Sequence, residues 1–279
     1  MSIQKSLRLS LVLMACLPLI FLTIFTYNLS YKKYMDLATQ STVELAKNYG
    51  MGFQSQLNSQ IAEVEGLANG TNIQNLVLEN YNGVTLGNDS PYYTNVTDLF
   101  ATASDYAGNN VNYYLYDVNG YYITSSDNTN TDDWQEHMAI PVEDITETKI
   151  LQCSPLDEIE SIDVVSPIII KSQIVGLIRA NITSRYFGSF IPEDGSAFIM
   201  TNDGGYLFTS TGLTGQRELE TQAFNCLNGA DNAKDYGHLK ASSFKNIYGF
   251  CKLSDSNWLY LIKQQGTQYQ QILATLPIT

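Results

Sequence analysis

Residues 127–137 hold the densest set of polar and aromatic groups in the chain: Asp127-Asn-Thr-Asn-Thr-Asp132-Asp133, then Trp134, Glu136 and His137. Tyr114, Tyr116 and Tyr122 stand just upstream, and Asp157 and Asp163 follow. Carboxylates pair with ammonium groups, and ring faces attract cations. The mixture suits a cationic ligand such as an amine better than an anion. No arginine lies between Arg8 and Arg179. A guanidinium fork that could grip a carboxylate is therefore missing from this stretch. The same residues also fit a packed sheet face followed by a solvated turn.

Other chemistry finds little support. Residues 127–133 offer oxygen ligands but lack the sixth-position Gly and twelfth-position Glu of an EF-hand loop. His137 and His238 are isolated, which does not make a zinc site. There is no nucleophile elbow, phosphate loop or HExxH pair. No acid–base set converges, so the expectation is a protein without catalysis, cofactor or metal. Cys153, Cys226 and Cys251 lie outside the N-terminal apolar run. Cys226 and Cys251 are read either as a bridge or as two thiols.

These groups must be positioned by a chain of 279 residues, about two domains at roughly 150 residues each. Hydrophobic residues make up 44%, enough for a packed core. Asp and Glu number 28 against 15 Lys and Arg, a net charge of −13. That balance excludes a general nucleic-acid binder, which needs a basic face.

Leu9 to Tyr27 carries no charge and matches the roughly 20 residues of a membrane-spanning helix. Lys5 and Arg8 precede it, and Lys32 and Lys33 follow. A cleaved signal peptide and a lipoprotein signal at Cys16 compete with an uncleaved anchor. The long apolar run and the absence of a small-x-small site favour the anchor. Residues 1–8 are then cytoplasmic and the body lies outside.

Over residues 31–69, Leu45, Tyr49, Phe53, Leu57, Ile61, Val64 and Ala68 recur every three or four positions, one face of a long helix. Gln56, Gln60 and Glu63 fall off that stripe. The stripe fits a core or a second copy of the helix.

Strands follow. Residues 111–117 and 121–126 flank Asn119-Gly120, a hairpin signal. Residues 196–201 and 206–210 flank Asp203-Gly204, a copy of the first hairpin offset by 84. Residues 164–182 read as two strands around a turn at 171–173, and 247–263 read likewise around 254–257. One supersecondary unit thus occurs twice.

The anchor, the long helix, the two hairpins YLYDVNGYYITSS and FIMTNDGGYLFTS, and the exits SPIIIKSQIVGLIRANIT and YGFCKLSDSNWLYLIK resemble the double Cache extracellular sensor domains of bacterial transmembrane receptors. The resemblance covers about residues 31–270. It implies an α+β fold: a long N-terminal helix along two stacked PAS-like modules with antiparallel sheets, preceded by a transmembrane helix. The membrane-distal module would be 70–191 and the membrane-proximal one 192–265, with 266–279 beginning a second membrane helix. It implies a small molecule bound in the distal module and a cytoplasmic output of chemotaxis, histidine kinase or cyclic-dinucleotide type. A homodimer would form through the long helix. Trp134 matches the family's ligand-contacting Trp, but Gln135 replaces the following Tyr, and Asp132 stands where an Arg is usual. The expected ligand contacts are Trp134, Asp132, Asp133, Tyr122, Tyr114, Tyr116 and Asp163, for a cationic amine or an amino acid. A membrane-anchored surface or adhesion module without signalling output is the alternative.

Overall fold

The computed structural model describes residues 3–83, 90–127, 134, 140–152, 161–191, 196–208, 212–229, 235–241 and 246–265, with side chains at 14 and from 16 onward. One helix, α1 (Ile3–Ala68), replaces the two segments expected from the sequence, and runs through Pro18 without a break. Among the described residues no helix is long and apolar enough to cross a membrane. The expected transmembrane helix at 9–27 is therefore not seen as such. Its positions 9–13 and 15 lie outside the described side chains, and Leu17, Leu19, Phe21 and Phe25 further along are exposed.

Asn69-Gly70 ends α1, and α2 (Thr71–Tyr81) and α3 (Pro91–Tyr106) follow. The Ser90 Oγ accepts the Tyr93 N–H at 3.3 Å and Pro91 opens the first turn, so α3 starts with a side-chain cap and a residue that needs no donor. Five antiparallel strands come next: β1 (Val111–Asp117), β2 (Tyr122–Ser125), β3 (Lys149–Gln152), β4 (Ser161–Ile170) and β5 (Gln173–Thr183), in the order β2-β1-β5-β4-β3. The second module has β6 (Ala197–Met200), β7 (Tyr206–Leu207), helix α4 (Arg217–Asn228), β8 (Tyr236–Leu239), β9 (Asn246–Leu253) and β10 (Trp258–Gln265). Its order, β7-β6-β10-β9-β8, is the same.

The repeat extends to single hydrogen bonds. The Gly120 N–H donates to the Asp117 carbonyl, and the Gly204 N–H to the Thr201 carbonyl, both at 3.0 Å. Gly120 has φ 83° and Gly204 φ 88°. These are not the two-residue turns that Asn-Gly and Asp-Gly advertise, because only the glycine of each pair enters the left-handed region. The Asp117 Oδ1 instead accepts the N–H groups of Asn119 and Tyr121 and widens the turn. Lys171 and Ser172 do form a two-residue turn, with φ 49° and 66°. β7 stops at Leu207 rather than reaching 210, and Phe208 turns away at φ 61°.

Helix α1 packs one face against both sheets. Phe53, Leu57, Val64 and Ala68 are buried, and Leu45, Tyr49 and Ile61 pack beside them. The apolar stripe thus meets the chain's own sheets. Gln60, expected off the stripe, is buried at 4% exposure. Its amide donates to the Tyr186 hydroxyl at 2.8 Å, and its carbonyl oxygen accepts the Tyr113 hydroxyl at 3.3 Å. The contact changes along the helix. Ala38, Thr42, Ala46 and Gly50, four apart, are buried at its earlier part. There β9 comes so close that a Cβ on Gly249 would sit 2.5 Å from the Thr42 carbonyl oxygen. Later positions insert large side chains: the Phe53 ring lies 4.5 Å from Phe187, in the segment that joins the modules.

Candidate ligand-binding face of the first sheet

Side chains alternate across β1. Val111, Tyr113 and Leu115 join the core shared with α1, while Tyr114 and Tyr116 point to the opposite face. Ladder register sets their neighbours. Tyr114 lies opposite Arg179 of β5, Tyr116 opposite Leu177, and Arg179 opposite Val165 of β4. Asp163, two residues back on β4, is on the same face. This brings an arginine and an aspartate together under an aromatic cover, with Val142, Ile145, Val165 and Leu177 as apolar filling.

Arg179 is 7% exposed and Asp163 is fully buried. The Arg179 Nε lies 3.1 Å from the Asp163 Oδ1, close enough for an ion pair although its N–H is not aligned as a hydrogen bond. The same oxygen accepts the Asn181 amide at 2.8 Å. The guanidinium sits over the Tyr114 ring at 5.1 Å, and its Nη1 donates a long bond of 3.5 Å to the Tyr116 hydroxyl. Burial works against the charge on Arg179, but Asp163 and then Tyr116 outweigh it and raise its pKa further. Burial pushes the Tyr116 hydroxyl up to about 12, with Arg179 pulling the other way. Burial also raises Tyr122.

Trp134 closes the cluster. Its backbone N–H donates to the Gly120 carbonyl at 2.7 Å, and its Nε1–H to the Ile140 carbonyl at 2.6 Å. The indole meets Tyr116 edge-on at 5.8 Å, and Tyr116 meets Tyr122 at 6.4 Å. The Tyr122 hydroxyl shares a 2.8 Å bond with Ser125, whose Oγ donates to Asp127.

Of the residues expected at the site, Tyr114, Tyr116, Tyr122, Trp134 and Asp163 therefore come together. Asp132 and Asp133 lie outside the described residues, as do Asp157, His137 and Cys153. His238 is on β8 of the other module, exposed. Cys226 and Cys251 are free thiols, which settles their alternatives against a bridge. Burial raises the pKa of both.

Arg179 was missed. The stretch around Trp134 has no arginine in sequence, yet β5 supplies one in space. The available signal was a lone arginine inside the apolar strand VGLIRANI, where a buried charge requires a partner.

The second module provides an internal comparison. By ladder register Tyr114 corresponds to Phe198, Tyr116 to Met200, Arg179 to Leu261 and Asp163 to Tyr248. The face that is charged and polar in one module is almost wholly apolar in the other. There Leu219, Ala223 and Leu227 of α4 pack onto it.

No family model matches the chain, and no curated protein is significantly similar in sequence. Solved structures are similar in fold. The extracellular domain of the histidine kinase soHK1S-Z6 aligns with a TM-score of 0.60 at 10% identity, over 88% of this chain and 100% of that one. The ligand-binding domain of the Pseudomonas aeruginosa PAO1 amino acid chemoreceptor PctC, in complex with GABA, aligns with 0.54 at 16%, over 81% and 99%. The sensor domain of the V. cholerae histidine kinase DctB aligns with 0.52 at 12%, over 85% and 98%. Together with the repeated five-stranded sheets along one helix, these likenesses show that the chain shares the fold of these sensor and ligand-binding domains.

Proposed function

We propose that the chain is the extracellular ligand-sensing part of a membrane receptor, and that a small molecule binds the outer face of the distal sheet. The observation that carries this reading is the buried Arg179–Asp163 pair under Tyr114, Tyr116 and Trp134, set against the apolar equivalent face of the proximal module. A fold has no packing need for an ion pair there, because the same scaffold is built next door without one. The ligand of this reading is a small amine or amino acid. Arg179 faces a carboxylate, while Asp163 and the tyrosine rings receive an ammonium group. Arginine alters the balance inferred from residues 127–134 alone and favours a molecule that carries both groups. PctC, of the same fold, was solved with such a molecule, GABA.

The exposed apolar residues of α1 between Leu17 and Leu29 support a membrane anchor in its first part. Residues 70–191 and 192–265 are then the distal and proximal modules of the receptor. On α1, Leu37, Ser41, Glu44, Asn48, Met51, Ser55, Asn58 and Ala62 are exposed at alternating intervals of four and three. That spacing is the one paired helices use, and its exposed apolar members Leu37 and Met51 support docking of a second copy along the helix. Binding passes a signal to a cytoplasmic module only if the ligand favours one arrangement of the helices.

The test is a thermal-shift screen of the full chain in detergent micelles against amino acids, amines and organic acids. A ligand at about 100 times its dissociation constant adds about 2.7 kcal/mol of stability. The expected result is a shift with an amino acid or amine that Arg179→Lys and Tyr114→Ala both reduce. A ligand whose shift survives both changes, or no shift with any compound, removes the distal face as the site.

A further inference from the structure

We propose that Lys149 tunes the ligand face of the first sheet to an acidic amino acid, by pairing with the second carboxylate of the ligand; this rests on the reading of that face as the binding site.

Strand register puts Lys149 on the face. Lys149 lies opposite Val165, Val165 opposite Arg179, and Arg179 opposite Tyr114. Directly opposed residues share one side of a sheet. The alternation of β3 agrees: Leu151 packs against the aromatic cluster, whereas Ile150 packs against the core shared with α1. One row across the sheet therefore reads Tyr114, Arg179, Val165, Lys149. With strands about 4.8 Å apart, the main chains that carry the two cations are separated by about 10 Å. Two long side chains based at that spacing can close on one small molecule from opposite ends.

The two cations differ in their surroundings. Arg179 has Asp163 beside it at 3.1 Å. Lys149 makes no hydrogen bond or ion pair among the described residues. β3 is a sheet edge, where lysines commonly stand in water and block pairing with another chain. Lys149 is instead partly buried. The second module has the corresponding row, Phe198, Leu261, Phe250 and Gly237. Both cations are absent from it. Gly237 takes the place of Lys149, and a Cβ there would sit 3.0 Å from the Phe250 ring. Arginine and lysine thus occur together on one sheet and are replaced together on the other.

The chemistry of the ligand follows. An amino acid offers its α-carboxylate to Arg179 and its ammonium group to Asp163, and leaves Lys149 without a counter-charge. A side-chain carboxylate supplies one. The amide of the same shape does not, and covers the lysine without pairing it.

The experiment is calorimetric titration of the full chain in detergent micelles with L-glutamate against L-glutamine, and L-aspartate against L-asparagine. The expected result is that one acid binds at least about tenfold more tightly than its amide. Lys149→Met keeps an unbranched side chain and removes the charge. It should bring that acid and its amide within about twofold of each other, by weakening the acid alone. Melting curves check that the variant stays folded. The proposal is overturned if neither acid is preferred to its amide, or if the preference survives in Lys149→Met. If neither pair binds while another amine or amino acid gives a thermal shift that Arg179→Lys reduces, the role of Lys149 falls and the ligand face stands. Failure of every compound removes both.

Discussion

Asp163 holds Arg179 in place and is itself held by Asn181. Removing one charge strands the other, whereas removing both does not. Asp163→Ala is therefore expected to cost about 3–5 kcal/mol, measured by urea unfolding, and the paired change Asp163→Asn with Arg179→Met clearly less. Equal losses in the two variants would show that the pair has no such coupling. Tyr116 gives a pH prediction. Its hydroxyl titrates near 12 in the folded chain, against about 10 when unfolded. The folded state therefore holds this proton more tightly. The stabilisation is fully present below about pH 10 and is lost as pH rises towards about 12. Burial also raises Tyr113 and Tyr260, so Tyr116→Phe should lessen the loss of stability over that window without abolishing it, and an unchanged profile would exclude Tyr116 as a source. At this scale the aromatic residues and Asp163 could be named from the sequence as candidates, and the structure brings them together. Arg179 was not so named, because its neighbours are fixed by strand register, which a sequence read in order does not display.

Hairpins and helices were unequally legible. The duplicated turns could be read because Asn119-Gly120 and Asp203-Gly204 mark the one residue that must take positive φ. The strands around 171–172 and 254–257 could be read from unbroken apolar runs. Helices α2 and α3 could not, since their buried apolar residues are few, namely Ile73, Leu76, Val77, Val96 and Phe100, and polar residues stand between them. The short strands β3 and β8 lie at sheet edges, where little apolar pattern is needed. The first turn carries a second duty, since the Gly120 carbonyl receives the Trp134 backbone N–H. Gly120→Ala forces a Cβ into the left-handed region and should cost about 1–2 kcal/mol in thermal unfolding. Near-UV circular dichroism should also show the Trp134 band changed. A spectrum identical to the parent's would mean that the turn does not position the indole.

Across the whole molecule the two modules share α1 and one core. Tyr260 of β10 donates to the Phe190 carbonyl, and Phe53 touches both Phe187 and Tyr260. Unfolding should therefore be a single transition, followed equally by tryptophans Trp134 and Trp258, one in each module. Two separated midpoints would contradict the shared core. The close approach of Gly249 to Thr42 makes a sharper case. Gly249→Ala places a carbon 2.5 Å from a backbone oxygen that cannot rotate aside. The sheet and the helix must separate there, and a lower melting temperature of the full chain is expected, checked by calorimetry. An unchanged melting temperature would mean that the interface yields freely.

Ala38, Thr42, Ala46 and Gly50 have a mechanical consequence. Against β9 they present a nearly smooth track, without the interlocking teeth that Phe53, Leu57 and Val64 supply further on. The later part of the rod is held by ring packing, and the earlier part by close backbone approach, the Thr42–Gln264 hydrogen bond and Lys47 over the Tyr236 ring. A displacement of either part must therefore carry its sheet with it.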